Sequence, residues 1–376
     1  MSVRIDTDLL PDIKVIGVGG GGCNAVTRMV RSKIPGVSFV ACNTDAQALM
    51  ACEASIKLRI GEKLTKGLGV GGDPTRGERA ADESRDELYE LLRGSDMVFV
   101  TAGMGGGTGT GAAPVVAEVA KDCGALTIGV VTKPFPWEGA RRMKQAEEGI
   151  ARLRDKVDTL IVIPNGRLLE ICPPDVTVEQ AFETADDVLR QAIQSISNII
   201  SQNGSINLDF NDVRAIMSEA GPALLAVGKG VGEQRAMEAA RAATQSPLLD
   251  QSIEGATAVL FNVTHSGGLQ LRELDMAARV IAEVVDPAAN IIFGTVVDPR
   301  VGEEVHITVI ATGFPPKPQS LPEPLEGARR VVDFNLPGVA SPEDAELPAF
   351  LRRNVRSLGA LNFAQERAAA NSAERR

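Results

Sequence analysis

Aromatic residues are scarce in this 376-residue chain, with one Trp (Trp137), one Tyr (Tyr89) and eleven Phe. Its core must therefore be aliphatic, filled by Val, Ile, Leu and Ala. Cysteine is sparse too. Cys23, Cys42, Cys52, Cys123 and Cys172 form an odd set without a CxxC pair, which argues against a disulfide framework and for a reducing compartment. Only two histidines exist, His265 and His306, a thin supply for proton transfer. No apolar run approaches the roughly 18 residues of a membrane span, and the opening MSVRIDTDLLPD lacks a signal-peptide core. The chain thus reads as cytoplasmic. Positive charge is outweighed as well: a net charge of −10 disfavours nucleic acid or anionic lipid as the main partner. An anionic ligand would have to be drawn in by local backbone N–H groups or a metal. There is also no GxxxxGK[ST] box and no HRD or DFG set, which disfavours an ordinary P-loop NTPase and a kinase.

What the chain does have is short β-branched runs alternating with helical patterns. IKVIGVG (13–19), VSFVACNTD (37–45), MVFVTAG (97–103), LTIGVVTKP (126–134) and TLIVIPN (159–165) read as strands. Strands this apolar, spaced by helices, predict a parallel sheet covered on both faces. A helix of over twenty residues follows in VEQAFETADDVLRQAIQSISNIISQNG. Phe182, Ala185, Leu189, Ala192, Ile196 and Ile199 form its apolar stripe, and Gly204 is placed to stop it. Its length suits a spine between two domains. Beyond it, ATAVLFNVTH (256–265), GLQLRELDMAARVIAEVV, NIIFGTVVD (290–298) and EVHITVIATGF (304–314) predict a smaller α/β domain. Eight of the 21 prolines fall in 315–348 among acidic residues, so that stretch reads as a linker.

Three glycine-rich turns carry the chemistry: GVGGGGCN (17–24), GLGVGGDP (67–74) and GMGGGTGTG (103–111). The first satisfies GxGxxG through Gly17, Gly19 and Gly22, follows a strand, opens a helix and has Asp45 after the next strand. Alone it fits a dinucleotide-dependent oxidoreductase, or a plain strand–helix turn. The third loop changes the balance. Glycine permits positive φ, so consecutive N–H groups can line one concavity, and the following helix adds its positive end. Thr108 and Thr110 add hydroxyls. Two such loops on parallel strands, with a third between them, can surround a triphosphate. A dehydrogenase has no use for the extra loops.

GGGTGTG at 105–111 resembles the signature loop of the tubulin/FtsZ family, whose FtsZ branch serves prokaryotic cell division. IKVIGVGGGGCNAV, NTDAQAL, GTGAAPVVAEVAK, VTKPFPWEG, IPNGRLL, NLDFNDV and AIMSEAG continue the likeness in order, over roughly residues 12 to 314. The resemblance implies an α/β fold: a Rossmann-like parallel-sheet GTPase domain, a long central helix, a smaller α/β domain and a disordered C-terminal tail. It implies an N-terminal extension at 1–11, the GTPase domain at 12–176, the helix at 177–203 and the second domain with a catalytic loop at 204–314. A flexible linker at 315–345 and a partner-binding peptide with a basic extension at 346–376 complete the chain.

The resemblance also assigns residues. Gly20, Gly21, Gly22, Cys23 and Asn24, with Gly105, Gly106, Gly107, Thr108 and Gly109, would hold the phosphates of GTP or GDP. Gly71, Gly72 and Asp73 would sense the γ-phosphate. Cys23 stands where Gly is common in the family, and reads as a buried spectator rather than a redox sensor. Glu138 and Arg142, by spacing alone an i,i+4 ion pair, would lie near the ribose and phosphates; Asn165 would join the nucleotide contacts. Phe182 would stack on the purine, and Asp186 would accept from guanine N1 and N2, with Asp187 as the alternative.

Asp209 and Asp212 stand i,i+3 at the start of a helix, and read as a cap or as carboxylates that aim a water. The resemblance chooses the second. With Asn207 they would enter the nucleotide site of the next subunit in a head-to-tail homopolymer, making hydrolysis depend on assembly. Mg²⁺ is expected to bridge phosphate oxygens, with its protein ligands unknown. In ELPAFLRR, the residues Leu347, Phe350, Leu351 and Arg352 would present a helical face to membrane-tethering division proteins at mid-cell. Residues 352–376 carry six arginines against two glutamates, an extension whose role the sequence leaves open. A nucleotide-binding scaffold without turnover is the remaining alternative.

Overall fold

A computed structural model describes residues 11–173, 175–201, 209–249 and 252–314. Gly204, Asn207, the linker and the tail peptide with Leu347, Phe350, Leu351 and Arg352 lie outside the described residues. The first half contains β1 (Ile13–Val18), α1 (Gly19–Arg31), β2 (Val37–Asn43), α2 (Ala46–Ala51), β3 (Ile56–Arg59), α3 (Glu62–Thr65), α4 (Pro74–Glu83) and α5 (Arg85–Leu92). It continues with β4 (Met97–Gly103), α6 (Thr108–Asp122), β5 (Leu126–Lys133), α7 (Ala140–Arg154), β6 (Thr159–Pro164) and α8 (Asn165–Ile171). The long helix is α9 (Val178–Ser201). After it come α10 (Phe210–Met217), β7 (Gly221–Gly230), α11 (Arg235–Thr244), β8 (Ala258–His265), α12 (Leu271–Ala282), β9 (Asn290–Val297) and β10 (Val305–Thr312).

All ten strands join one sheet in the order β3-β2-β1-β4-β5-β6-β7-β10-β8-β9. Pairing is parallel except at β10, which runs antiparallel to both β7 and β8. Because successive side chains in a strand point to opposite faces, β1 sends Ile13 and Val15 into one core and Ile16 and Val18 into another. The second core is covered by α5, α6 and α7. The first is shared by both halves: Ile193, Ile196 and Ile199 of α9 lie in the same cluster as Ile13 and Phe99 on one side and Leu225, Leu260 and Ile310 on the other. The predicted stripe of α9 is buried, except for Phe182 at 40% exposure.

Two strands have no counterpart in the sequence reading. Ile56–Arg59 is a short edge strand, mostly exposed, so its apolar signal is weak. Gly221–Gly230 contains Pro222, Gly228 and Gly230, which look like breakers. Here the glycines are required by close packing: a Cβ on Gly228 would sit 2.0 Å from the Ala239 carbonyl oxygen of α11.

The sheet separates its two edges. The C-terminal ends of β1, β2, β4, β5 and β6 carry the strand-to-helix junctions at 18–24, 43–45, 103–108, 133–138 and 164–165. At the opposite edge, α10 lies against strand beginnings: Arg214 Nη2 donates to the Gly124 carbonyl just before β5, and Thr159 Oγ1, at the start of β6, donates to the Met217 carbonyl.

Candidate functional site

The three glycine turns meet. Gly19 has φ +73°, and a Cβ there would lie 2.7 Å from Gly109 N; one on Gly107 would lie 2.9 Å from Asp73 N. The first, middle and signature loops therefore touch backbone to backbone, which only glycine allows. Around them opens a cleft of about 950 Å³. Its walls bring together Gly20, Gly21, Asn24, Gly71, Gly72, Gly106, Gly107, Thr108, Gly109, Glu138, Arg142, Asn165, Phe182 and Asp186. These residues come from positions up to 166 apart in sequence, and every one was singled out from the sequence.

α2 is capped by Asp45, which accepts from the backbone of Gln47 and Ala48, and α4 by Asp73, which accepts from Thr75 N. The N-termini of α1 and α6 have no side-chain cap. Both begin at the cleft, so their free N–H groups and positive dipole ends are available to an anion there.

Several expected contributors sit behind the wall. Gly22 and Cys23 are buried, as is the thiol of Cys23, whose acidity is suppressed first by a hydrogen bond with Cys52 and then by burial. An inert, protonated thiol fits the spectator reading. Gly105 is also outside the lining, and its N–H donates to Thr110 Oγ1 at 2.8 Å. Thr110 is fully buried, so its hydroxyl shapes the loop instead of facing a ligand. Thr108 Oγ1 lies 2.7 Å from Thr44 Oγ1. Asp73 is absent from the lining, its carboxylate committed to Thr75.

On the opposite wall, Arg142 Nη1 and Glu138 Oε2 form the i,i+4 pair at 2.6 Å, and Glu138 also accepts from Phe135 N. Phe182 packs edge-on to Phe135 and Trp137, with centroids at 5.3 and 5.8 Å, and keeps a face exposed. Asn165 is 4% exposed, and its Oδ1 has no hydrogen-bond partner among the described residues although it lines the cleft. A buried acceptor in that position fits a ligand hydroxyl or amine, since burying it unpaired costs on the order of 1–3 kcal/mol.

Asp186 and Asp187 part company. Asp186 lines the cleft, and burial pushes its carboxyl up to about 6 against the opposing pull of Arg28, whose Nε donates to Oδ2 at 3.1 Å. Asp187 lines a separate cavity of about 580 Å³ between α9 and the second-half strands. Burial there would raise its carboxyl, but Arg190 at 2.6 Å and Gln191 outweigh it and hold the group below the usual range. Arg28, Glu183 and Thr44 also line the cleft and were missed from sequence. Arg28 follows Asn24 by four residues, so the helical period of α1 places both on one face.

Residues 12–173 match the Tubulin/FtsZ family, GTPase domain, and residues 221–315 match the FtsZ family, C-terminal domain. A solved FtsZ dimer from M. jannaschii is 46% identical, with a TM-score of 0.79 over 82% of this chain and 89% of that one. The chain belongs to the tubulin/FtsZ family. It is thus a GTPase of the tubulin/FtsZ cytoskeletal kind, with GTP and GDP as its ligands. At fold level the likeness extends further: CetZ1 from Haloferax volcanii, a GDP-bound monomer, is 22% identical with a TM-score of 0.69 over 82% of this chain and 96% of that one. CetZ2 from the same organism, a GTPγS-bound protofilament, is 18% identical with a TM-score of 0.70, over 80% of this chain and 92% of the other.

Asp209 and Asp212 are nowhere near this cleft. Both are exposed at the α10 edge of the sheet, where Asp209 Oδ1 accepts from Asp212 N at 2.9 Å and caps the helix. The capping reading of Asp209 is therefore correct as far as it goes. Neither histidine lines the cleft.

Proposed function

We propose that this tubulin/FtsZ family member polymerises head to tail in the cytoplasm at the mid-cell division site, and that each GTP is cleaved at the junction between two subunits. One observation carries the reading: the cleft and the Asp209–Asp212 pair occupy opposite edges of one parallel sheet. Strand β5 alone, eight residues long, spans about 25 Å between those edges. The 24-residue α9 spans about 36 Å. A single subunit cannot fold one edge onto the other, whereas stacked subunits bring them together, and a repeated heterologous contact of this kind builds a filament.

In that arrangement the N–H groups of Gly20 and Gly21 and of Gly106, Gly107, Thr108 and Gly109 hold the phosphates, the side chain of Asn24 lies beside them, and Gly22, Cys23 and Gly105 shape the turns from behind. Gly71 and Gly72 flank the terminal one. Arg142 and Glu138 serve the phosphates and ribose, Asn165 accepts from the sugar, Phe182 packs on the purine, and Asp186 reads its N1–H and N2–H₂ edge. Asp212 of the neighbour, with Asp209 and Asn207, aims the attacking water, and catalysis rests on position and charge. Mg²⁺ bound with the nucleotide would supply positive charge to offset the phosphates. Among the described residues there is no group of three or more His, Cys, Asp or Glu that could hold a metal. Leu68, 86% exposed at the rim, and Met50, 73% exposed, fit a surface that a second subunit covers. The relative from M. jannaschii was itself solved as a dimer. Leu347, Phe350, Leu351 and Arg352 supply the contact with a membrane tether, and among the described residues no helix is long and apolar enough to cross a membrane.

Phosphate release measured against protein concentration tests the reading. Turnover per subunit should climb steeply where light scattering reports assembly. Equal turnover per subunit in dilute and concentrated samples would overturn it.

A further inference from the structure

Arg28 makes two polar contacts from α1 to the base-facing side of α9, beside the apolar packing of the two helices. Its Nε donates to Asp186 Oδ2 at 3.1 Å and its Nη2 to Glu183 Oε1 at 3.0 Å. Glu183 and Asp186 are three apart on α9, so one guanidinium spans both carboxylates. Exposure differs sharply along this triad: 14% for the Asp186 side chain, 35% for Arg28 and 52% for Glu183. Glu183 grips the outer end of the guanidinium, which leaves the Nε side facing the buried acid. Asp186 is then fixed through Oδ2, while Oδ1 has no hydrogen bond among the described residues at the cleft wall.

We infer that Arg28 is a positioning residue for base selection, keeping Asp186 charged and aiming its remaining oxygen at the guanine edge. This rests on the proposed reading of Asp186. The electrostatics agree. Burial raises the Asp186 carboxyl, Arg28 opposes that rise, and Glu183 adds to it. Asp45, Glu138, Arg142 and Glu179 stand around the same cleft without an ion pair or hydrogen bond to Asp186, and Asp187 is turned to Arg190. Arg28 is therefore the cation that decides the charge. Without it the carboxyl would take up its proton closer to neutral pH. A protonated carboxyl presents a hydrogen toward guanine N1–H and N2–H₂, where the ionised form presents acceptors only.

The test is a pH series of GDP and IDP binding to the full-length, nucleotide-free chain; inosine lacks the N2 amine. Trp137, the sole tryptophan and 5.8 Å from Phe182, reports occupancy by fluorescence. The wild type should prefer GDP over IDP by a similar factor from pH 7 to 8.5. In Arg28→Gln the preference at pH 7 should fall about twofold, the result of an upward shift of about one pH unit that leaves about half of Asp186 ionised, and return by pH 8.5. Arg28→Lys, which keeps the charge, should restore most of it at pH 7. If Arg28→Gln weakens GDP and IDP equally at every pH, the residue merely ties α1 to α9 and the inference is wrong. Asp186→Asn separates the two claims. Should Asp186→Asn retain the GDP preference, the reading of Asp186 itself fails. Should it lose that preference while Arg28→Gln keeps the wild-type pH profile, only the role of Arg28 fails.

Discussion

The two edges of the first-half sheet are opposites. At the C-terminal edge, backbone does the work: uncapped helix ends and glycine turns face a cleft, and the carboxylates beside those turns are already engaged, Asp45 and Asp73 as caps and Glu138 with Arg142. At the N-terminal edge, α10 presents exposed Asp209 and Asp212. One edge can hold a triphosphate and the other can aim water. The difference teaches that, on the proposed reading, holding and hydrolysis are divided between the two edges, so chemistry requires two copies in series.

The largest effect should come from breaking one edge only. Asp212→Ala should retain GTP binding while turnover in concentrated samples falls about 100-fold or more, the range lost when a water-activating group is removed. Mixing it with a variant crippled at the cleft, Asp186→Ala, should recover turnover that neither has alone, since junctions then form with one intact edge from each. A mixture as inactive as its components would place both functions within a single subunit.

Glycine substitutions sharpen the comparison by separating scaffold from site. Gly228→Ala, far from the cleft, would drive a Cβ to 2.0 Å from the Ala239 carbonyl oxygen, and should cost about 3 kcal/mol in urea unfolding. Gly19→Ala places a side chain at φ +73° against Gly109 N, a strain of about 1–2 kcal/mol. Its loss should appear chiefly as GTP affinity lowered about tenfold. Equal effects of both substitutions on stability and affinity would erase the distinction.

Much of the cleft edge is readable in sequence because it is built from contiguous loops: GVGGGGCN and GMGGGTGTG carry their own geometry, and apolar strands announce a parallel sheet. Arg28 escapes such reading because its significance arises only when α1 lies against α9, 155 residues away from Glu183. Thr110 misleads for a related reason, since a threonine in a glycine loop looks like a ligand donor until tertiary packing buries it. The strand at Gly221–Gly230 hides because its glycines answer to a neighbouring helix, not to a turn. Asp209 and Asp212 are visible as a pair, but distance from the cleft is a property of the sheet and not of their spacing.

The aspartates of the two edges should also differ in what they do for stability. Asp186 has its folded carboxyl raised from 3.8 to about 6, so the folded state binds the proton more tightly than the unfolded one. The contribution of Asp186 to stability without nucleotide should therefore decline as pH rises from about 4 through about 6, and stay flat above. Asp186→Asn removes that penalty. It should be more stable than wild type by about 1–2 kcal/mol at pH 8, less than the full shift implies because Arg28 loses a partner, with the gap closing near pH 4. A gap unchanged with pH would mean that the buried charge is not the cause.

Asp209 should behave the other way and yield the smallest effect. As the cap of α10 it satisfies Asp212 N at 2.9 Å, so Asp209→Ala should cost about 1 kcal/mol at neutral pH, while Asp209→Asn, which still accepts that hydrogen bond, should cost little. The pair of variants divides capping from chemistry. If Asp209 only caps, turnover should follow stability and Asp209→Asn should work like wild type. On the proposed reading, the charge facing the neighbour's cleft matters by itself, so Asp209→Asn should fold normally and still turn over GTP more slowly. Phosphate release at matched assembly, set beside urea melts of the two variants, decides whether this edge contributes one working aspartate or two.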